Sequence, residues 1–211
     1  MIAKLCTWGP TRAEAIEEMR TALDEFEVEG IGHNIPFLSA VMDHEKFCSG
    51  DMTTAFIAEE YPEGFDGVTL DAATVKKVAA SVAAMHRVIE IRRSRVSGRM
   101  DNHERVVGVD WVVSIQGQNL PVTIAADANG STVTFADGAL HRVSSDWTPG
   151  DTLAKLEVDG ERIVLKTDKV TGGMRIRCRG ADLKVAVRTP RPAELAALLP
   201  LIGREETLRR L

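Results

Sequence analysis

The spacing of apolar residues changes once, near Val107, and that change divides the chain into a helical part and a strand part. In the first part Thr11 and Glu14 stand in capping-box spacing, and Ile16, Met19, Leu23 and Phe26 follow at helical intervals until Gly30 stops the run. A second helix is expected to open near Asn34, with Pro36 in its first turn and Phe37, Leu38, Val41 and Met42 on its buried side. A third, short one follows Asp51. Ahead of these, Met1 to Thr7 reads as a strand with no partner strand in the helical block after it, so this block is expected to lack half of its fold.

Tyr61-Pro62-Glu63-Gly64 punctuates the chain, and a long helix is expected from Asp71 to about Val96. Val78 to Met85 carries no charge, and Ala79, Ala80, Ser81, Ala83 and Ala84 keep its girth small. A helix apolar most of the way round is normally surrounded by protein. Arg87 to Arg95 is instead strongly charged, so the helix should be enclosed at its start and middle and emerge at its end.

From Val107 the period is two. Eight short strands are expected, the first with Trp111, Val113 and Ile115 inward, the second with Leu120, Val122 and Ile124. Others fall near 131–136, 139–145, 152–158 and 161–168, and the last two alternate around Ile176 and Cys178 and around Leu183, Val185 and Val187. Asp127 to Gly130, Asp137-Gly138, Asp159-Gly160 and Gly172-Gly173 supply turns. Sequential antiparallel strands with short loops favour an up-and-down barrel, because closure removes exposed edges. The slim helix before the strands could fill its interior if the barrel opens slightly. The expected fold class is therefore α+β, an eight-stranded antiparallel β-barrel around a long central helix, preceded by a small, mainly helical unit. A short helix from Ala193 to Leu199 and a charged tail close the chain.

Composition adds limits. The chain has 211 residues, 44% hydrophobic but only 5% aromatic, so its core is built from Val, Ile, Leu and Ala around three isolated tryptophans. A net charge of -5 argues against a nucleic-acid-binding surface. Cys6, Cys48 and Cys178 share no ligand spacing and read as buried thiols in a reducing compartment, the cytoplasm or the mitochondrial matrix. No apolar run approaches the roughly 18 residues needed to cross a bilayer, and the start lacks the features of a signal peptide.

Candidate chemistry is sparse. His33, His44, His86, His103 and His141 have no partner at metal-ligand spacing, no Gly-rich phosphate loop precedes a helix, and no Gly-x-Ser-x-Gly elbow occurs. Arg87, Arg92, Arg93, Arg95 and Arg99 form the one notable charge cluster. It is either a solvated helix end favoured by the helix dipole or an interface. The segment Ser97, Gly98, Arg99, Met100, Asp101, Asn102, His103 with Arg105 marks where the long helix gives way to the first strand, and Met100 is an apolar residue that nothing local would bury.

Met1 to Gly9, Arg12-Ala13-Glu14-Ala15, Gly30 to Ile35, and Phe47 to Ile57 with Gly50-Asp51 and Thr53-Thr54 resemble the end of the biotin carboxylase domain of acyl-CoA carboxylases. The remainder, through Asp159-Gly160, Gly172-Gly173-Met174 and Ala193-Glu194-Leu195, resembles the following domain of propionyl-CoA carboxylase alpha subunits, a barrel around a central helix that bridges the biotin carboxylase and carboxyltransferase components. The resemblance implies a remnant of a biotin carboxylase C-terminal domain at 1–61, the bridging barrel at 62–200 and a tail at 201–211. It implies a partner, the carboxyltransferase beta subunit, besides the biotin carboxylase and biotin carrier domains, with contact through Ser97 to Arg105.

The family carboxylates biotin with ATP and bicarbonate, with Mg as the metal, and passes the carboxyl group to an acyl-CoA. In such proteins the nucleotide-clamping residues precede this region and the biotinylated lysine follows it in a Met-Lys-Met motif that this chain lacks. Thr54 matches a position beside the nucleotide adenine, and the tail from Leu201 to Glu206 departs from the expected linker. The chain alone is therefore expected to be a fragment, inactive and without its own cofactor. Two other classes stay open: a small-molecule-binding eight-stranded barrel, favoured by a large internal cavity, and a hydrolase with an unrecognised site.

Overall fold

Asp71 begins the element on which the architecture turns. In the computed structural model, which describes residues 3–28, 30–97, 105–127 and 130–194, its carboxylate accepts from the backbone N–H groups of Ala73 and Thr74 at 2.8 and 2.9 Å. This cap starts a 23-residue helix, Ala72–Ser94. Four shorter helices precede it: α1 (Arg12–Glu25), α2 (Ile35–Asp43), α3 (Glu45–Ser49) and α4 (Phe56–Glu60), which makes the long one α5. Thr11 caps α1 as its spacing predicts. Residues 3–9 form no strand, since no strand lies beside them to accept their backbone groups. The short helix expected after Asp51 is α4, and α3 is an additional one, capped by His44 and ended by Gly50.

Eight strands follow: β1 (Asp110–Ile115), β2 (Gln118–Asp127), β3 (Gly130–Phe135), β4 (Leu140–Ser145), β5 (Leu153–Val158), β6 (Glu161–Val170), β7 (Gly173–Cys178) and β8 (Ala181–Arg188). Each pairs antiparallel with the next and β8 returns to β1, giving a closed barrel. The barrel does not open to admit the helix. It relaxes at two short seams, β1 with β8 and β4 with β5, where three residue pairs join the strands against six for β1 with β2. Of the terminal helix expected at 193–199, residues 190–194 are helical, so it starts three residues early with Pro190 in its first turn.

The interior is solid. Val78, Ala79, Ala80, Ser81, Val82 and Ala83 are all fully buried, packed against Val113, Ile124, Val133, Val158, Leu165, Ile176 and Val185 from the strands. Alanine and serine allow the strands to approach on every side, which a helix of leucines would forbid. Ser81 keeps its hydroxyl satisfied within the helix by donating to the Lys77 carbonyl at 2.9 Å. Where α5 enters, Lys76 pairs with Asp137 on the β3–β4 turn and Lys77 with Glu161 beside the β5–β6 turn.

The first block packs on the outside of the barrel, over β6. Lys166 is buried, and its ammonium donates to the free carbonyls of Leu23 and Phe26 at the end of α1, at 3.0 and 2.7 Å. Burial lowers the Lys166 pKa, with Asp24 opposing. Glu25 reaches Arg162 at 2.5 Å and Lys155 at 3.0 Å. Gly180, at φ +77 in the β7–β8 turn, lies so close to α2 that a Cβ there would stand 2.7 Å from the Pro36 carbonyl oxygen, so the docking requires glycine. This explains why β6 departs from simple alternation: Val164 to Thr167 are all buried, the outward members under α1.

Two outcomes follow. Val82→Asp places an unpaired carboxylate inside the barrel, at a cost of several kcal/mol against a total stability of about 5–15 kcal/mol. The variant should fail to fold or melt far lower, and an unchanged melting temperature would show that Val82 faces water. Asp24, half-buried on α1 and accepting from the Arg179 N–H at 2.7 Å, is pushed by desolvation from 3.8 to about 6, against the pull of Arg179 and Lys166. A pKa raised on folding gives stability that is fully present below pH 3.8 and lost as pH rises through about 6. Asp24→Asn should therefore match the parent near pH 4 and exceed it at pH 7, by at most about 3 kcal/mol. Urea melts across that range would refute this if the two chains stayed parallel.

Candidate docking surface at the exit of the central helix

Past Met85 the surroundings of α5 change from apolar to mixed. The His86 ring meets Trp111 edge-on, with centroids 5.0 Å apart, and burial lowers its pKa while Glu90 opposes the shift. Arg92 donates to the Pro149 carbonyl at 3.3 Å. The Arg87 Nε and Nη1 atoms are buried without a hydrogen-bond partner among the described residues, beside a cavity that Ser131, Ser145 and Trp147 also line. The arginine cluster is therefore not a uniformly solvated helix end.

Glu90 organises this exit. It is 4% exposed, yet both its oxygens are engaged: Oε1 accepts from Arg93 at 2.6 Å and Oε2 from Arg105. Burial alone would raise its pKa, but the Arg93 hydrogen bond and the charges of Arg105 and His86 outweigh it, leaving the carboxyl below its ordinary value. Arg93 lies on the same helix, whereas Arg105 belongs to the chain returning toward β1. Both guanidinium groups stay more than half exposed. Val96 and Val106, beside the two ends of this connection, are 64% and 88% exposed.

Of the residues singled out from sequence, Ser97 lies exposed in the bend just past α5, and Arg105 is held on Glu90. Gly98, Arg99, Met100, Asp101, Asn102 and His103 lie outside the described residues. Thr54 sits exposed in the turn before α4, far along the chain from this exit. Glu90 escaped the sequence reading because a lone acid among arginines looks like surface. The signal available was its three-residue spacing to Arg93 on a helix expected to be enclosed.

Beside the exit, a cavity of about 600 Å³ opens between His86, Ile89, Arg93, Trp147, Met174 and Val187. It lies at the mouth of the barrel, because the interior is filled by α5. The internal cavity that would favour a small-molecule carrier is thus replaced by side chains. Among the described residues no group of three or more His, Cys, Asp or Glu could hold a metal ion. His141 pairs with Asp159 at 2.6 Å, but no described hydroxyl or thiol hydrogen-bonds to its ring. Cys178 faces the barrel core, where burial pushes its thiol up to about 12, far from nucleophilic use. The expectation of uniformly buried thiols fails for the others: Cys6 is exposed and Cys48 half-buried, since the first block leaves much of its surface uncovered. Among the described residues no helix is long and apolar enough to cross a membrane.

Comparison with known proteins places this geometry. The Propionyl-coenzyme A carboxylase BT domain family matches residues 78–201, and the Biotin carboxylase C-terminal domain family matches residues 1–59. The chain is 74% identical over 200 residues to the propionyl-CoA carboxylase alpha chain of Ruegeria pomeroyi, covering 95% of this chain and 29% of that one. It is 34% identical to the mitochondrial propionyl-CoA carboxylase alpha chain of Mus musculus, covering 92% of this chain and 28% of that one. Biotin carboxylase 1 of Bacillus subtilis is 51% identical over 57 residues, 27% of this chain and 13% of that one. The chain spans less than a third of the length of each of these relatives. With α5 enclosed by a closed eight-stranded barrel and the family match covering the barrel and most of α5, the chain belongs to the propionyl-coenzyme A carboxylase BT domain family.

Proposed function

We propose that this chain is a non-catalytic docking segment of a propionyl-CoA carboxylase-type alpha chain, joining the biotin carboxylase component to the carboxyltransferase beta subunit. The observation that carries the reading is the exit of α5. The barrel spends its interior on the helix, and where the helix leaves it Arg93, Arg105, Val96 and Val106 are exposed. A surface of arginine and isolated apolar side chains suits a protein contact better than a small ligand.

In this reading 1–61 belongs with the biotin carboxylase component, 62–200 is the bridge, and Ser97 to Arg105 forms the contact. Biotin, ATP, bicarbonate and Mg serve the whole enzyme. Thr54 is proposed as the one position on the adenine side, completed by residues outside this chain. The biotin carrier domain is the other partner, and the compartment is the bacterial cytoplasm or the mitochondrial matrix. Nucleic acid and membrane have no part in the reading.

The test is binding to a purified propionyl-CoA carboxylase beta subunit by titration calorimetry, with the thermal melt measured on the same sample. Met100→Asp with Arg99→Glu removes the apolar anchor and reverses a charge. The double variant should bind at least tenfold more weakly, a loss of about 1.4 kcal/mol or more, with its melting temperature nearly unchanged. Full affinity would place the contact elsewhere.

A further inference from the structure

We infer that Glu90 positions the docking connection, one buried carboxylate tying the last turns of α5 to the point where the chain returns toward β1, and that it thereby presents an arginine-and-valine face to a recess rimmed by carboxylates on the partner. The inference rests on the docking reading above. A carboxylate 4% exposed is costly to desolvate unless both oxygens are satisfied. Glu90 meets that demand with one guanidinium on each oxygen, and the two come from different parts of the chain. Arg93 is three residues away on α5, so that pair forms wherever the helix does. Arg105 lies fifteen residues on, after α5 has ended. Its bond exists only when the chain comes back across the helix.

The consequence is a fixed span. Val96 follows α5 by two residues and Val106 follows Arg105 directly, so the Glu90 pairs set how far apart these two exposed apolar side chains stand. An arginine carries five N–H donors, and each guanidinium here gives one nitrogen to Glu90. Both cations stay more than half exposed, and in sequence Val96 follows Arg93 by three residues and Val106 adjoins Arg105, a combination of charge and apolar surface that suits carboxylates around an apolar recess. Two ends held at a set distance before binding avoid part of the ordering cost at the moment of contact, and releasing them should appear as lost affinity.

The experiment compares the 211-residue chain with Glu90→Gln, Arg105→Met, their double variant and Arg105→Lys. Amide exchange is measured on the free chains, and affinity for a propionyl-CoA carboxylase beta subunit by calorimetry. Exchange at 106–108 should accelerate in both single variants while β5 to β8 stay as they are. Affinity should fall on the order of tenfold in Glu90→Gln and at least as far in Arg105→Met, which also takes a cation from the face, and the double variant should bind no more weakly than Arg105→Met, because both remove the same bond. Arg105→Lys keeps a cation within reach of Glu90 and should recover most of the affinity. Should Glu90→Gln not fold, Arg105→Met reads the same bond from its exposed end. Unchanged exchange at 106–108 in Arg105→Met overturns the inference, as does an additive loss in the double variant. If Met100→Asp with Arg99→Glu weakens binding while Arg105→Met does not, the clamp falls and the docking reading stands. If neither weakens it, the docking reading itself falls.

Discussion

A closed barrel of eight strands encloses a narrow interior, and here that interior is occupied by a helix thin enough to pass through it. Everything else depends on that fit. Six consecutive residues, Val78 to Ala83, are completely buried, which is possible only because four of them are alanine or serine and the two valines are compact. The strands answer with Val, Ile and Leu pointing inward. Van der Waals contact on all sides replaces the single apolar stripe by which a surface helix is normally held.

Enclosure fixes what the two ends of the helix can do. The end that enters is tied by Lys76 and Lys77 to turns of the barrel, and by the Asp71 cap to its own backbone. The end that leaves carries the arginines outward and is anchored through Glu90. A packed core thus sets the direction in which the chain leaves the barrel. The helical block at the start adds a second constraint, since Lys166 of β6 joins the end of α1 and the β7–β8 turn at Gly180 packs against α2. Movement of that block and movement of the barrel are therefore mechanically linked.

Most of the architecture was legible because it rests on periodicity. The uncharged run at Val78 to Met85 and the alternation around Ile176 and Val185 are properties of local sequence, and they lead directly to an enclosed helix and a barrel. What escaped depends on contacts between distant segments. β6 looks like an ordinary half-buried strand until α1 covers its outer face, so Lys166 gives no local sign of being buried. Met1 to Thr7 has the composition of a strand, but a strand needs a neighbour, and residues 3–9 have none. The cysteines were read by their average behaviour, and only Cys178 obeys it. At the exit of α5, the arginines stood out in the sequence while the acid that organises them did not. A side chain's role in bridging α5 to a residue fifteen positions later is set by tertiary approach alone.

The central claim is that the chain meets its partner where α5 leaves the barrel. A hydrogen-exchange footprint of the chain, taken with and without a propionyl-CoA carboxylase beta subunit, tests it directly. Protection should concentrate at the last turns of α5 and at the segment leading into β1, with the β3–β4 and β5–β6 turns at the opposite mouth unchanged. Protection confined to that opposite mouth, or to the helical block over β6, would contradict it.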